Sequence, residues 1–391
     1  MDNGVRQEFR DILENNILSF WIQYMQDDEQ GGFYGRMDGN GTLHTRANKG
    51  AVLNARILWT FSAAYRLLSD QKYLQIAQRA FDYIVNHFLD KDYGGAFWEL
   101  DYKGAPANTK KQTYAQGFML YGFSEFYRAT GDEQALQLAK DFFFLIEKCY
   151  DHEAGGYPEA YTREWQSIDD MRLSEKDANE KLTMNTHLHI LEPYTNLCRI
   201  WNDELVIKAQ KRLITIFTEH IWDRTSGHLN LFFADHWILK STAISYGHDI
   251  EASWLLYEAA EVLQDKVLVG KIKEISLRIA DAASEGLMID GSLAYEMKDN
   301  QLDKERHWWV QAEAVAGFMY AAKNAPGKGY EDTAMHVWQY IKDHLIDYDC
   351  KEWYWSRLKD GNMNCTDDKA GFWKCPYHNG RMCMEMIAHQ F

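Results

Sequence analysis

Along much of the chain apolar residues recur at three- and four-residue intervals, as at Ala115, Phe118, Met119, Gly122 and Phe126. That period puts one face of a helix toward a core. Only five prolines interrupt 391 residues, so the pattern predicts a largely helical chain. The expected helices span 3–26, 46–69, 72–89, 112–130, 133–150, 182–201, 203–221, 247–263, 265–285, 304–323, 328–345 and 376–390.

A short pattern returns in the turns: Asp, about three residues, Gly-Gly and an aromatic. It stands at Asp27 with Gly31, Gly32 and Phe33, at Asp90 with Gly94, Gly95 and Phe97, and at Asp151 with Gly155, Gly156 and Tyr157. Weaker copies follow at Asp223 with Gly227 and at Asp290 with Gly291. The last, Asp347 with Lys351, Glu352 and Trp353, keeps the spacing without either glycine. Copies about 60 to 70 residues apart leave each unit room for two helices. The expected fold is therefore all-α, an (α/α)6 barrel of six helical hairpins, in one domain over 1–391. An open solenoid is the alternative, but tetratricopeptide arrays have a period near 34 and polar capping repeats.

Composition narrows the function. A net charge of −16 offers no basic footprint, so neither nucleic acid nor an anionic membrane surface is an expected partner. The start, MDNGVRQEFRDILENN, has no basic region followed by an apolar one, and no run reaches the roughly 18 apolar residues of a spanning helix. The expectation is a cytoplasmic, soluble protein, a monomer or weak homo-oligomer. Six cysteines without a CxxC pair read as free thiols. Aromatics reach 14%, which suits stacking on sugar faces as well as packing.

Residues with chemical potential lie on the first helix of each predicted pair, mostly near its N-terminal end, so they would meet at one mouth of a barrel. They are Arg56, Tyr114, Asn185 and His189, His248 and Glu251, Trp309 and Glu313, and Trp373 with His378. Asn185/His189 and Trp309/Glu313 are i,i+4 and His248/Glu251 i,i+3, spacings that share a helix face. His187 and His189 are i,i+2, about 160 to 200° apart, and cannot chelate one metal side by side; His187 reads as a packed core residue.

Three histidines and an arginine suit proton transfer at a carbon next to a carbonyl. Histidine exchanges protons near neutrality, and a fixed positive charge such as Arg56 stabilises the resulting enediolate. Inversion needs proton removal and return on opposite faces, which two histidines from different units can supply. Glu251 and Glu313 read as groups that orient a neighbouring His or Arg. Zinc or manganese is the chemical competitor, because His189, His248, Glu251 and His378 are legal ligands; without HExxH or CxxC, no metal is expected. Gly39-Asn40-Gly41 reads as a hairpin turn and not a dinucleotide fingerprint, so no NAD and no other cofactor is expected.

The strings KGAVLNAR with Arg56, MNTHLHILE, GHDIEASW, WWVQAE and WKCPYHNGR, in that order over nearly the whole chain, resemble the N-acylglucosamine 2-epimerase superfamily, and most closely its disaccharide-acting branch. The resemblance implies epimerisation at C2 of the reducing-end glucose of a β-1,4-linked disaccharide, through ring opening and a cis-enediol. It implies His248 and His378 as the two acid/base residues, with Arg56 and His189 holding the intermediate's oxygens. Tyr114, Asn185, Glu251, Trp254, Trp309, Glu313 and Trp373 become substrate-binding residues, although Trp254, six residues beyond His248, would otherwise read as core. The polar segment from Tyr157 to Thr183 resembles a loop closing over the second sugar, with Ser174 and Asp177 as contacts. Other superfamily reactions, on N-acylglucosamine or mannose or between aldose and ketose, would share the histidines. A glycoside hydrolase on the same barrel would need two opposed carboxylates, and a sugar-binding protein has no use for three convergent histidines.

Overall fold

The computed structural model describes residues 3–175 and 177–389. Gln390 of the last expected helix, the chain ends of the expected domain, and Lys176 of the polar segment lie outside them. Among the described residues are twelve long helices: α1 (3–24), α2 (Ala51–Leu68), α3 (71–88), α4 (Thr113–Thr130), α5 (Glu133–Lys148), α6 (Met184–Ile200), α7 (204–221), α8 (Tyr246–Glu261), α9 (Lys266–Ala283), α10 (Trp308–Asn324), α11 (Tyr330–His344) and α12 (His378–Ala388).

The even-numbered helices pack each on the next, and α12 returns to α2, closing an inner ring. The odd-numbered helices lie outside as hairpin partners, and α1, from the far end of the chain, covers α12. The result is an (α/α)6 barrel. Burial follows from this position. Every residue of α2 from Ala51 to Ala64 and of α4 from Thr113 to Phe126 is buried, whereas outer α5 buries only a stripe of Ala135, Ala139, Phe142, Phe143 and Ile146. No helix among the described residues is long and apolar enough to cross a membrane.

The recurrent turns end the outer helices. An isolated bridge closes each: Gln26 with Phe33, Leu89 with Ala96, Asp151 with Gly156, Trp222 with Leu229, Leu287 with Leu293 and Ile346 with Trp353. In the stronger copies the aspartate Oδ1 accepts backbone N–H groups two and three residues on, as Asp27 does from Glu29 and Gln30. Its Oδ2 takes a cation from just before the next inner helix, Lys49 on Asp27 and Lys111 on Asp90, and in the last copy Asp347 Oδ2 takes Lys369 from the segment ahead of α12. Gly31, Gly94, Gly155 and Gly227 have φ of 75 to 86°, a region that costs a side-chain-bearing residue roughly 1–2 kcal/mol. Lys351 and Glu352 adopt it without glycine, at φ 63° and 60°. Glu352 is buried and accepts from Trp21, Lys374 and Asn379, contacts that hold this copy in place.

Several inner helices begin later than their apolar periodicity suggests. Two-residue strands precede them: Lys49–Gly50, Leu182–Thr183 and Arg306–His307. These pair antiparallel with Glu99–Leu100, Phe232–Ala234 and Ser356–Arg357. Expected helices 46–69 and 304–323 therefore start at Ala51 and Trp308. The strands knit adjacent units together at the mouth where the inner helices start. Gly39-Asn40-Gly41 forms the expected tight turn, bridged by Met37 and Leu43.

Candidate active site

The sixth residue of five inner helices is Arg56, Phe118, His189, Glu251 or Glu313. One level of the barrel thus collects a cation, a ring, an imidazole and two carboxyls, while α12 enters with His378 as its first residue. Above this level opens a cavity of about 530 Å³, lined by Arg56, Tyr114, Ser174, Asp177, Asn185, His189, His248, Glu251, Trp309, Trp373 and His378. Two expected residues lie below it. Glu313 supports His378, and Trp254 donates to Glu313 Oε2 (3.1 Å), stacks on Tyr320 and lines a separate cavity at the opposite mouth. Trp254 is thus placed for packing and hydrogen bonding, not for stacking on a ligand in the upper cavity.

Backbone features make the close approaches possible. Pro193 has no N–H for the carbonyl of His189, one turn earlier in α6. Gly117 of α4 packs against that carbonyl so closely that a Cβ would lie 2.3 Å from it. Gly247 does the same for the Trp309 ring, with a Cβ meeting it at 2.7 Å. Trp309 consequently lies across the start of α8, its ring 4.8 Å from that of His248 and 5.7 Å from that of His378.

Three of the histidines lining the cavity, His189, His248 and His378, have Nδ1 engaged. His189 Nδ1 is 3.1 Å from Glu192 Oε2, and His378 Nδ1 is 2.7 Å from Glu313 Oε1. A carboxylate only accepts, so Nδ1 carries the proton and Nε2 keeps its lone pair. His248 Nδ1 instead meets the Ser245 hydroxyl at 2.7 Å. Burial lowers all three, His248 to about 3 and His378 well below its ordinary value with Arg56 and Arg381 adding to the effect. All three imidazoles are neutral in the free site. His187 is fully buried, with Nδ1 donating to Thr183 O (2.6 Å) and Nε2 accepting from Tyr157 N–H (3.0 Å); it is a structural residue.

Beneath the histidines sits Arg381, which the sequence reasoning did not single out. Its guanidinium binds Glu192, Glu251 Oε1 (2.8 Å) and Glu313 Oε1 (2.6 Å), and Tyr377 donates to Glu192 as well. One cation among three buried carboxyls cannot keep all of them ionised. Glu192 is lowered to about 2 by Arg381, His189 and Tyr377 against its burial. Burial and the neighbouring Glu313 push Glu251 well up. Glu313 is raised by burial and opposed by Arg381; N–H donors on both its oxygens keep it an acceptor for His378. Glu251 Oε2 is buried without a hydrogen-bond partner among the described residues, which favours the protonated, neutral form. The spacings His189/Glu192 and His378/Arg381, both i,i+3, were the available signal for the missed pair.

Glu251, Glu313 and His378 have donor atoms within 4.8 Å of one another, a set that could ligate a cation. The Arg381 guanidinium already bonds both carboxyls, so the charge a metal would neutralise is neutralised by a side chain. Arg56, by contrast, makes no ion pair with a carboxylate among the described residues. It donates to Tyr114 Oη (2.8 Å) and lies over the Phe118 and Tyr377 rings, 4.2 and 4.8 Å from their centroids. Burial opposes its charge, but Tyr114, Cys375, Tyr377 and Glu251 hold its pKa above the usual value.

The segment from Tyr157 to Thr183 reaches the cavity through Leu173, Ser174, Glu175 and Asp177. It is tied down outside: Arg163 binds Asp90 and Asp92, Trp165 donates to Tyr93 O, and Lys110 and Gln112 bond Arg172 O. Ser174 donates from backbone and hydroxyl to Asp177 Oδ2, at 2.8 and 2.9 Å.

A six-hairpin barrel whose one mouth holds three neutral histidines, an arginine without a carboxylate partner among the described residues, and aromatic rings is the architecture of a carbohydrate-directed protein. The profile of the N-acylglucosamine 2-epimerase (GlcNAc 2-epimerase) family matches residues 32–380, and the chain belongs to that family. It is 53% identical to the cellobiose 2-epimerase of Bacteroides fragilis over 99% of this chain and 100% of the relative. It is 40% identical to that of Ruminococcus albus, with 97% of each chain covered. The solved cellobiose 2-epimerase of Bacillus thermoamylovorans superposes with a TM-score of 0.96 at 41% identity, covering 99% of this chain and 100% of the other.

Proposed function

We propose that this protein is a cellobiose 2-epimerase, a cofactor-independent isomerase that interconverts the reducing-end glucose of a β-1,4-linked disaccharide with mannose in one catalytic domain spanning the chain. One observation carries the mechanism: His248 and His378 meet the same cavity from different units, flank Trp309 and stand beside an arginine without a carboxylate partner. Full-length identity to cellobiose 2-epimerases supports the substrate.

The ring-opened sugar presents its C1 carbonyl and C2 hydroxyl toward Arg56, whose guanidinium stabilises the charge that grows when the C2–H bond breaks. His378, with a free Nε2 lone pair and Nδ1 on Glu313, takes a proton on one face. The resulting imidazolium is stabilised by Glu313, as the neutral ring is oriented by it. His248, once protonated from solvent beside the charge on the enediolate, returns a proton on the other face and is left neutral, and His378 then releases its proton to solvent. His189, held by Glu192, and neutral Glu251 donate to or accept from the sugar oxygens. Trp309 and Trp373 stack on sugar faces, and Ser174 with Asp177 meets the second ring. Every proton acceptor, donor and fixed charge in this scheme is a side chain. Hydrolysis is disfavoured because Glu251 and Glu313 share one guanidinium and do not oppose each other across a gap.

Incubating the purified, EDTA-treated protein with cellobiose, lactose, N-acetylglucosamine and mannose, then identifying products, tests the reading. Glucosyl-mannose from cellobiose and epilactose from lactose are expected. Free glucose from cellobiose, or conversion of the monosaccharides alone, would contradict it.

A further inference from the structure

His248 differs from His189 and His378. Its Nδ1 faces a hydroxyl that can both give and take a proton, where His189 and His378 face carboxylates. Ser245 is buried and stands immediately before α8, in the two-residue strand Ile244–Ser245, where it pairs with Glu296. Its Oγ accepts the backbone N–H of His248 (3.5 Å) as the helix N-cap and lies 2.7 Å from His248 Nδ1. No other acceptor for the Ser245 hydroxyl occurs among the described residues. In the free site the hydroxyl therefore donates to Nδ1, which leaves the proton of neutral His248 on Nε2.

We propose that Ser245 is a positioning residue that sets the tautomer of His248 and reverses its hydrogen bond during each turnover. The inference rests on the proposed epimerisation. As negative charge grows on the bound sugar His248 takes up a second proton from solvent, at Nδ1; when it then delivers its Nε2 proton to C2, the carbon forms its new C–H bond with the enediolate electron pair, and the ring is left neutral with its proton on Nδ1. Nδ1–H then needs an acceptor, and Ser245 Oγ supplies one by turning its own proton away. A carboxylate at this place would hold Nδ1–H permanently, as Glu313 does for His378. The two acid/base residues are thus built differently: His378 is held ready to accept at Nε2, and His248 is switched.

The helix α6 offers a natural substitute, since Thr183 is its N-cap and accepts from Thr186 N–H at 3.1 Å. Ser245→Ala and Ser245→Thr proteins are compared with the parent in D2O, starting separately from cellobiose and from its mannose epimer. Two rates are read: deuterium entering C2 without inversion, and inversion. For Ser245→Ala, inversion should slow on the order of 10- to 100-fold, the loss of one hydrogen bond to a charged donor. From the epimer that His378 deprotonates, exchange should persist, so the ratio of exchange to inversion rises; from the other epimer both should fall together. Ser245→Thr should restore the parental ratio. In the absence of sugar, 15N shifts of His248 should report protonated Nε2 in the parent and the Thr protein and a tautomer mixture in the Ala protein. An unchanged ratio from both epimers, no rescue by Thr, or protonated Nδ1 in the sugar-free parent would each overturn the assignment. A parent that makes no epimer would overturn the proposed function instead, while the 15N measurement still tests the tautomer.

Discussion

Replacing Arg56 by Met separates its charge from its packing. An enediolate oxygen about 4 Å from the guanidinium gains roughly 4 kcal/mol at an effective dielectric near 20. Removing one oxyanion donor typically costs about 3–4 kcal/mol, or 10²–10³ in rate, so the two routes agree. The cost to folding should be smaller, because Arg56 pairs with no carboxylate among the described residues. Met keeps much of the apolar stem, and what is lost is the bond to Tyr114, a long one (3.5 Å) to Trp373 O, and the stacking on Phe118 and Tyr377, about 1–2 kcal/mol. Arg381→Met is the contrasting variant: it strands Glu192, Glu251 and Glu313 in the interior and should cost about 3–5 kcal/mol of stability. C2 exchange and inversion in D2O, together with urea unfolding, measure both properties. Arg56→Met should lose exchange and inversion in parallel by 10²–10³ and unfold near the parental midpoint. Exchange within tenfold of the parent would refute the role given to Arg56.

Ser174→Ala combined with Asp177→Ala should raise KM for cellobiose more than KM for any monosaccharide substrate; equal losses would remove the disaccharide subsite from that loop. Activity should survive exhaustive chelation, and recovery of a lost activity on adding a divalent ion would promote the metal reading. Glu313→Gln should depress kcat by on the order of 10- to 100-fold, since the amide orients His378 without stabilising its charged form; a parental kcat would break the link between the two residues. His187 is lowered to about 4 by burial, below its ordinary value near 6.5. The unfolded chain therefore binds the extra proton first as pH falls, and the residue's contribution, full above pH 6.5, drains away toward pH 4 by on the order of 3 kcal/mol. Urea midpoints should accordingly show the gap between the parent and His187→Gln narrowing over that window; a gap constant with pH would contradict the neutral buried ring.

Much of the architecture was legible because its signals are local. Asp and Gly at fixed offsets specify the turn by themselves, and the copy at Asp347 was readable without glycine because the aspartate's own bonds set it. The starts of α2 and α10 were misjudged because Lys49–Gly50 and Arg306–His307 are strands only by virtue of partners about 50 residues away in the chain. Periodicity cannot register such pairing. The cavity's lining was legible from polar residues near the starts of helices that packing would otherwise bury. Arg381 escaped because its meaning lies in Glu192, Glu251 and Glu313, which three other units bring together. Trp254 shows the converse: family resemblance marked it as a contact, while its turn of α8 carries the ring toward the other mouth.

In the proposed mechanism His248 and His378 serve opposite faces of one planar intermediate. It is tested most directly by incubating the parent and the His378→Asn protein with cellobiose in D2O and following C2 of the reducing sugar by NMR. The parent should form the mannose epimer carrying one deuterium at C2, and His378→Asn should form none. Epimer formed at the parental rate by His378→Asn, or epimer from the parent that retains the original proton, would contradict it.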